Sequence, residues 1–344
     1  MKVLKKVLTL LKVRKLVILF LYFSGIYALR NLIFKKKGIF ILFYHRLEKR
    51  KTSEVFPFLA IDIDNFIKHI EYLKKKYEVI SMDEAYELLR SNKELHKDYF
   101  VVTFDDGYRD NYTYGFDIFK KYGIKPTIYL AANNIENQKY LWVDMVAEIV
   151  YSSKANKVFV DMLGKEVSLG SLNDRTNLLM SILAKLKQYE DKEKYKKIDS
   201  LSATFNTAVP KECKLMMNWE DANNLSELGV DIGSHTMNHP ILTKILPEEA
   251  KDELEKSKEL IEKRIGKSVN NFAYPNGRKT DYDSYVKEEA AKLYKTSVTT
   301  LFGANNPGDD LHELKRIGIG PGVSLTDFKF LIQNARIKLG RSKS

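Results

Sequence analysis

Three short pieces, far apart in this 344-residue chain, carry side chains that could build one metal site. They are Thr103-Phe104-Asp105-Asp106-Gly107, His235-Thr236-Met237-Asn238-His239 and Phe272-Ala273-Tyr274-Pro275-Asn276-Gly277. The adjacent carboxylates offer one base and one hard anionic ligand, and the two histidines offer two borderline nitrogen donors. One carboxylate with two imidazoles leaves a coordination position open for water, the arrangement of a hydrolytic zinc-like site rather than a closed structural one. Each piece alone has a duller reading. Asp-Asp-Gly after a strand is commonly a turn whose carboxylates cap backbone amides. Histidines four apart share one face of a helix, yet Pro240 disfavours a helix running on past His239. No Glu follows His235, so the metalloprotease pattern His-Glu-x-x-His is absent. Tyr-Pro-x-Gly by itself signals only a turn.

The elements that must hold these pieces are legible in the apolar pattern. Residues 38–46 (GIFILFYHR) and 99–104 (YFVVTF) are continuous apolar runs, as expected of parallel strands covered on both faces. The second run delivers Asp105 and Asp106; the first ends at His45, which should open onto the same rim. Further strands are expected at 127–131, 230–233, 272–274, 295–300 and 316–319. Helices are expected at 63–77, at 82–90 behind a capping box from Ser81 to Glu84, and at 112–122 up to Gly123. Others run from the cap Asn218 to Gly229, over 246–266 with Pro247 in the first turn, over 281–294, and after the cap Ser324. Alternating strands and helices argue an α/β fold with a parallel sheet, and seven or eight such units favour a barrel. In barrels the reactive residues lie just past the C-terminal strand ends. Asp105, Asp106, His235, His239 and Asn276 all occupy such positions. Residues 134–214 interrupt the alternation: they are Lys-rich and mostly helical, with short strands at 157–162 and 166–168, and read as an insertion.

Composition is that of a folded protein, 44% hydrophobic and 30% charged, with aromatic content raised to 12%. Aromatics fill cores and also line sugar-binding clefts, and composition does not separate the two. The net charge of +12 suits an anionic membrane surface, an acidic polymer or nucleic acid. No zinc-finger spacing, aromatic RNA-binding signature or recognition helix accompanies it, so nucleic acid is not expected. Cys213 is alone, which excludes an internal disulfide. Residues 1–37 form a basic, hydrophobic segment in which an uncharged stretch, 16–29, follows repeated Lys and Arg. That stretch falls short of the ~20 residues of a comfortable span. A signal-peptide core, an interfacial amphipathic anchor and a short snorkelling span all remain open, and each implies membrane association with the side unspecified. The catalytic unit is then 38–340.

Taken together and in this order, the three pieces resemble the polysaccharide deacetylases (carbohydrate esterase family 4, the NodB-homology domain). The Thr-Phe-Asp-Asp-Gly piece is highly specific, His-Thr-x-x-His strong, and the third supportive; Phe43-Tyr44-His45-Arg46 also looks like family members from surface-polysaccharide gene sets. The likeness implies an irregular (β/α) barrel, here with a mostly helical insertion and a membrane-prone N-terminal helix. It implies a metal-dependent hydrolase that removes N-acetyl groups from amino sugars of a surface polysaccharide or its glycan precursor. Asp105 would be the general base, and Asp106, His235 and His239 would bind a divalent metal, zinc first, manganese or cobalt also allowed. The backbone N–H of Asn276 would help hold the oxyanion, and Tyr274 and Pro275 would touch substrate. Two departures stand out. The Arg usual two residues before the Pro of the third piece is Ala273, so Arg278 or, preferably, the strand-borne Arg316 must supply that charge. The late Leu-x-His-Asp motif with its acidic histidine is absent; His312 does not restore the spacing, and His45 is the substitute acid. The alternatives are a catalytically weak or silent glycan-binding protein on the same fold, and a membrane-tethered assembly factor acting through its insertion.

Overall fold

The apolar runs become the staves of a closed barrel. The computed structural model describes residues 37–49, 59–210 and 212–341. Seven strands alternate with helices: β1 (Ile39–Tyr44), β2 (Tyr99–Phe104), β3 (Thr127–Leu130), β4 (Asp231–Ser234), β5 (Asn271–Ala273), β6 (Thr296–Phe302) and β7 (Leu314–Gly318). Each pairs in parallel with the next, and β7 returns to β1 through Ile41 opposite Arg316 and Leu42 opposite Ile317. Residues of β1 and β2 are buried along nearly their whole length, which is why they read as unbroken apolar runs instead of alternating ones. The barrel is irregular: β4 and β5 share a single pair, Phe272 with Ser234, and the β6–β7 register shifts between Val298 and Phe302. Because all seven strands point the same way, every strand-end loop opens on one rim.

The helix boundaries follow from their caps. Ser81 and Glu84 close a reciprocal capping box on Met82–Arg90, and Asn218 with Asp221 does the same for Trp219–Glu227. The single helix expected over 112–122 is two, Asp110–Thr113 and Gly115–Tyr122, ending at Gly123 in the left-handed region. The Asp110 carboxylate is engaged by the Arg46 guanidinium and the Leu47 amide, which ties the first turn to the loop after β1.

The insertion contains α1 (Trp142–Ser152), an antiparallel hairpin of Lys157–Val160 with Lys165–Ser168, α2 (Leu172–Leu186) and α3 (Asp191–Thr204). It is no appendage. Trp142, Val146, Leu179, Ile182 and Ile198 are buried in the same continuous core as Phe100 and Val102 of β2. Its returning end is laced to the loop after β2, with Met217 N–H donating to Gly107 O at 3.1 Å and Arg109 N–H to Leu215 O at 2.7 Å. The long helix α4 (Pro247–Ile265) then packs beside β4. Among the described residues no helix is long and apolar enough to cross a membrane. The basic, apolar stretch at 1–36, on which the expectation of membrane association rests, lies outside the described residues.

Candidate metal centre and active site

The loops after β2 and β4 bring Asp106, His235 and His239 together. Asp106 Oδ1 lies 3.4 Å from His235 Nε2 and 3.3 Å from His239 Nε2. One potential ligand atom from each falls within 4.8 Å of the others, and all three residues are buried. The backbone is bent to achieve this: Asp106, Thr236 and His239 have φ of 77°, 69° and 55°, a region that non-glycine residues enter at a cost and that clusters at functional sites. Gly107, at φ 82°, follows Asp106 because a Cβ there would come within 2.8 Å of Ile135 Cδ1 and 2.9 Å of Leu130 Cδ2.

The donor set fits a divalent cation. His235 Nδ1 sits 2.6 Å from Ala273 O, so that nitrogen carries the proton and Nε2 presents its lone pair to the cluster. Burial pushes the His239 imidazole down to about 3, keeping it neutral and able to ligate. Burial alone would raise the Asp106 carboxyl, but the neighbouring His235 and His239 hold it below the ordinary carboxylate range. Asp106 Oδ1 is nonetheless buried without a hydrogen-bond donor, an orphaned anionic oxygen flanked by two neutral nitrogens. A cation is the partner that this combination lacks. The histidine loop is itself held from behind: Glu253 of α4 accepts from the N–H groups of Met237 and Asn238, both at 2.8 Å, and Thr236 Oγ1 accepts from His239 N–H at 3.0 Å.

Asp105 points elsewhere. Arg316 of β7 donates from both terminal nitrogens to its two oxygens, each at 2.7 Å, with both side chains buried. Arg316 also donates to Thr299 O at 2.8 Å and Thr103 Oγ1 at 3.3 Å, and its guanidinium lies 4.3 Å over the Phe43 ring. Burial raises the Asp105 carboxyl, but the Arg316 charge and hydrogen bonds outweigh it, so Asp105 is ionised. Arg278, the other arginine weighed for this charge, is exposed and uses its backbone N–H on Asp281.

The remaining expected site residues fall as follows. His45 sits at the end of β1, half-buried, near the Asp105 and Asp106 carboxylates that follow β2. Asn276 stands past β5 with φ 60°, its carbonyl accepting from Thr300 Oγ1 at 2.7 Å and its Nδ2 buried without a partner. Tyr274 does not offer its side chain to the rim, a correction to the sequence reading, whereas the substrate contact expected of Pro275 rests on its place just past β5. Both are buried. Strand alternation sends Tyr274 to the same face as Phe272, under the helices, where its ring stacks on Tyr282 at 4.1 Å and its hydroxyl donates to His312 O. His312 precedes β7, which puts it at the opposite rim from Asp105.

A buried polar network behind the Asp-Asp loop escaped the sequence reading. The Tyr108 hydroxyl lies 3.1 Å from both oxygens of Asp144 on α1, and the Arg46 guanidinium stacks 5.3 Å over the Tyr108 ring while pairing with Asp110 at 2.9 Å. Burial lifts the Asp144 carboxyl to about 7. The signal was present: Asp144 is an acid in the first turn of an otherwise apolar helix, WVDMVAEIVYS.

This barrel, with two acids after its second strand and two histidines after its fourth, has known counterparts. A family model for polysaccharide deacetylases matches residues 92–156 and 181–298, passing over the hairpin and the first part of α2. The chain belongs to the polysaccharide deacetylase family, and it is a hydrolase of carbon–nitrogen bonds in N-acetylated amino sugars. YxkH of Bacillus subtilis (strain 168) is 22% identical over 298 residues, covering 86% of this chain and 76% of that protein. The structure of Streptococcus pyogenes deacetylase PplD in complex with acetate superposes with a TM-score of 0.58 at 21% identity, covering 86% of this chain and 98% of that one. IcaB from Ammonifex degensii gives 0.55 at 17% identity over 87% and 96%. At these identities the structural matches speak for the barrel alone.

Proposed function

We propose that the protein is a metal-dependent de-N-acetylase of a surface polysaccharide or its glycan precursor, with Asp106, His235 and His239 as the metal ligands. The observation that carries this reading is the convergence of three buried ligand atoms beside a separate carboxylate, Asp105, that Arg316 keeps ionised. Zinc suits the donor set, and manganese or cobalt are compatible with it. When bound, the cation would act as a Lewis acid toward the acetamide carbonyl and the attacking water. Asp105 takes the proton from that water; its bidentate tie to Arg316 fixes its orientation, at the expense of some basicity. The backbone N–H of Asn276 would hold the oxygen on which negative charge develops. His45, on the same rim, hands a proton to the departing amine.

A purified full-length chain, stripped with chelator and reloaded with zinc, manganese or cobalt, should release acetate from N-acetylglucosamine oligomers only when reloaded. One observation favours the second reading, a glycan-binding protein without appreciable turnover: the late acidic histidine of the family has no counterpart on the rim, since His312 lies at the other end. Oligomer binding with no acetate release under any of the three metals would select that reading. The basic, apolar residues 1–37 support attachment of this enzyme to a membrane surface, which membrane fractionation with and without that segment tests.

A further inference from the structure

The rim opposite the metal centre, where the strands begin, is basic. Exposed lysines stand just before four of the strands: Lys37 before β1, Lys97 before β2, Lys125 before β3 and Lys295 before β6. The helix Ile63–Lys76 ends on the same rim, because Glu78, just beyond it, lies opposite Tyr99, the first residue of β2. Its last turn carries Lys74, Lys75 and Lys76, all exposed. Lysines at a helix end complement the helix dipole, which is reason enough for them taken singly. Their gathering is another matter.

Five cations meet in one concavity of about 610 Å³: Lys37, Lys75, Lys76, Lys97 and Arg336. Its two acids are already used. Glu78 pairs with Lys97, while the buried Asp98 holds Arg336 and accepts from Gly38 N–H at 3.1 Å. Lys37, Lys75, Lys76 and Lys125 pair with no carboxylate among the described residues. Like charges left this close repel one another, and a negatively charged surface laid against them relieves the repulsion.

The chain itself decides what that surface is. It enters the barrel on this rim at Lys37, eight residues past the end of the uncharged apolar stretch 16–29. Eight residues reach at most about 29 Å even when fully extended. With residues 1–37 attached to a bilayer, the strand-start rim is therefore leashed to the lipid, and the metal centre occupies the far end of the barrel. Anionic headgroups within that reach supply the charge that the lysines lack.

We infer that the strand-start rim is a docking face for anionic phospholipid, which seats the barrel upright with its catalytic rim turned away from the bilayer. The proposal takes its orientation from the membrane attachment of residues 1–37, and the test separates the two. Full-length protein is titrated with vesicles of phosphatidylcholine alone, and of phosphatidylcholine mixed with phosphatidylglycerol. The neutral vesicles read the apolar attachment; the gain on adding phosphatidylglycerol reads the basic rim. Each lysine held near such a surface contributes about fivefold in affinity. The triple variant Lys75→Gln, Lys76→Gln, Lys125→Gln should therefore lose on the order of 100-fold of that gain. An equal change of net charge at exposed lysines of the insertion, Lys154→Gln, Lys165→Gln, Lys196→Gln, should leave it within about threefold. Both variants should melt as wild type does. Equal loss in the two triple variants, or a folded rim variant that keeps the gain, overturns the docking face. Binding to neutral vesicles with no gain from phosphatidylglycerol overturns it too and leaves the attachment standing. A rim-dependent gain without binding to neutral vesicles keeps the face and overturns the apolar attachment; binding to neither vesicle overturns both.

Discussion

Arg316 and Asp105 are 211 residues apart in the chain, yet they form a fully buried bidentate pair, two nitrogens to two oxygens at 2.7 Å. Barrel closure makes this possible, because β7 returns to lie against β1, whose other neighbour is β2. The side chain that orients the proposed base thus comes from the last strand of the barrel. A planar guanidinium fixes a carboxylate in a way a lysine ammonium does not.

Breaking that pair from one side leaves a buried charge uncompensated. Arg316→Ala should lower stability by about 3–5 kcal/mol, read as a large fall in denaturant midpoint. Combining Arg316→Met with Asp105→Asn removes both charges and should recover most of the stability while restoring no acetate release. Equal instability of the single and double variants would show that the pairing is not what Arg316 contributes.

Glu253 acts only through the histidine loop, whose Met237 and Asn238 amides it holds at 2.8 Å. Glu253→Ala should weaken zinc affinity roughly 10- to 100-fold, the usual effect of losing an orienting partner behind a ligand. A competitive chelator titration measures this directly. Unchanged affinity would mean that the loop is rigid without the carboxylate.

The Asp144 carboxyl, lifted to about 7 by burial, makes stability depend on pH. Its folded value exceeds its unfolded one, so the folded protein binds the proton more tightly. The resulting stabilisation is complete below the unfolded value near 4 and is lost as pH rises through about 7. Asp144→Asn carries no such proton and keeps one acceptor for Tyr108. Its melting temperature should therefore gain on wild type between pH 5 and pH 8, an effect on the order of a few kcal/mol. A gap that narrows over that range would place the titration elsewhere.

The parts of this molecule that read clearly in sequence are those governed by local rules. Residues 39–44 and 99–104 are strands because they are buried on both faces, and the Ser81–Glu84 and Asn218–Asp221 pairs mark helix starts by their own hydrogen bonds. The metal cluster was legible for a related reason, since Asp106 and His235 stand within two residues of a strand end and His239 is four residues past His235. Long-range pairings left no such mark. A place on a strand favours Arg316 over Arg278 in sequence, but only the register of β7 against β1 sets it facing Asp105. Tyr274 misled because a strand-end aromatic has the same letter whether it faces a cleft or, as here, stacks on Tyr282 under the helices. Residues 134–214 read as an insertion because they are rich in lysine and break the strand–helix alternation, while Trp142, Leu179 and Ile182 bury one side of it in the shared core.

The division of labour between the adjacent acids is the centre of the account, and metal content measured by mass spectrometry on purified, metal-equilibrated protein tests it most directly. Wild type should carry one zinc ion per chain. Asp105→Asn should keep that ion while acetate release falls on the order of 10²- to 10⁴-fold, and His235→Ala should lose the ion first. Equal loss of metal in both variants, or full metal retention in His235→Ala, would contradict it.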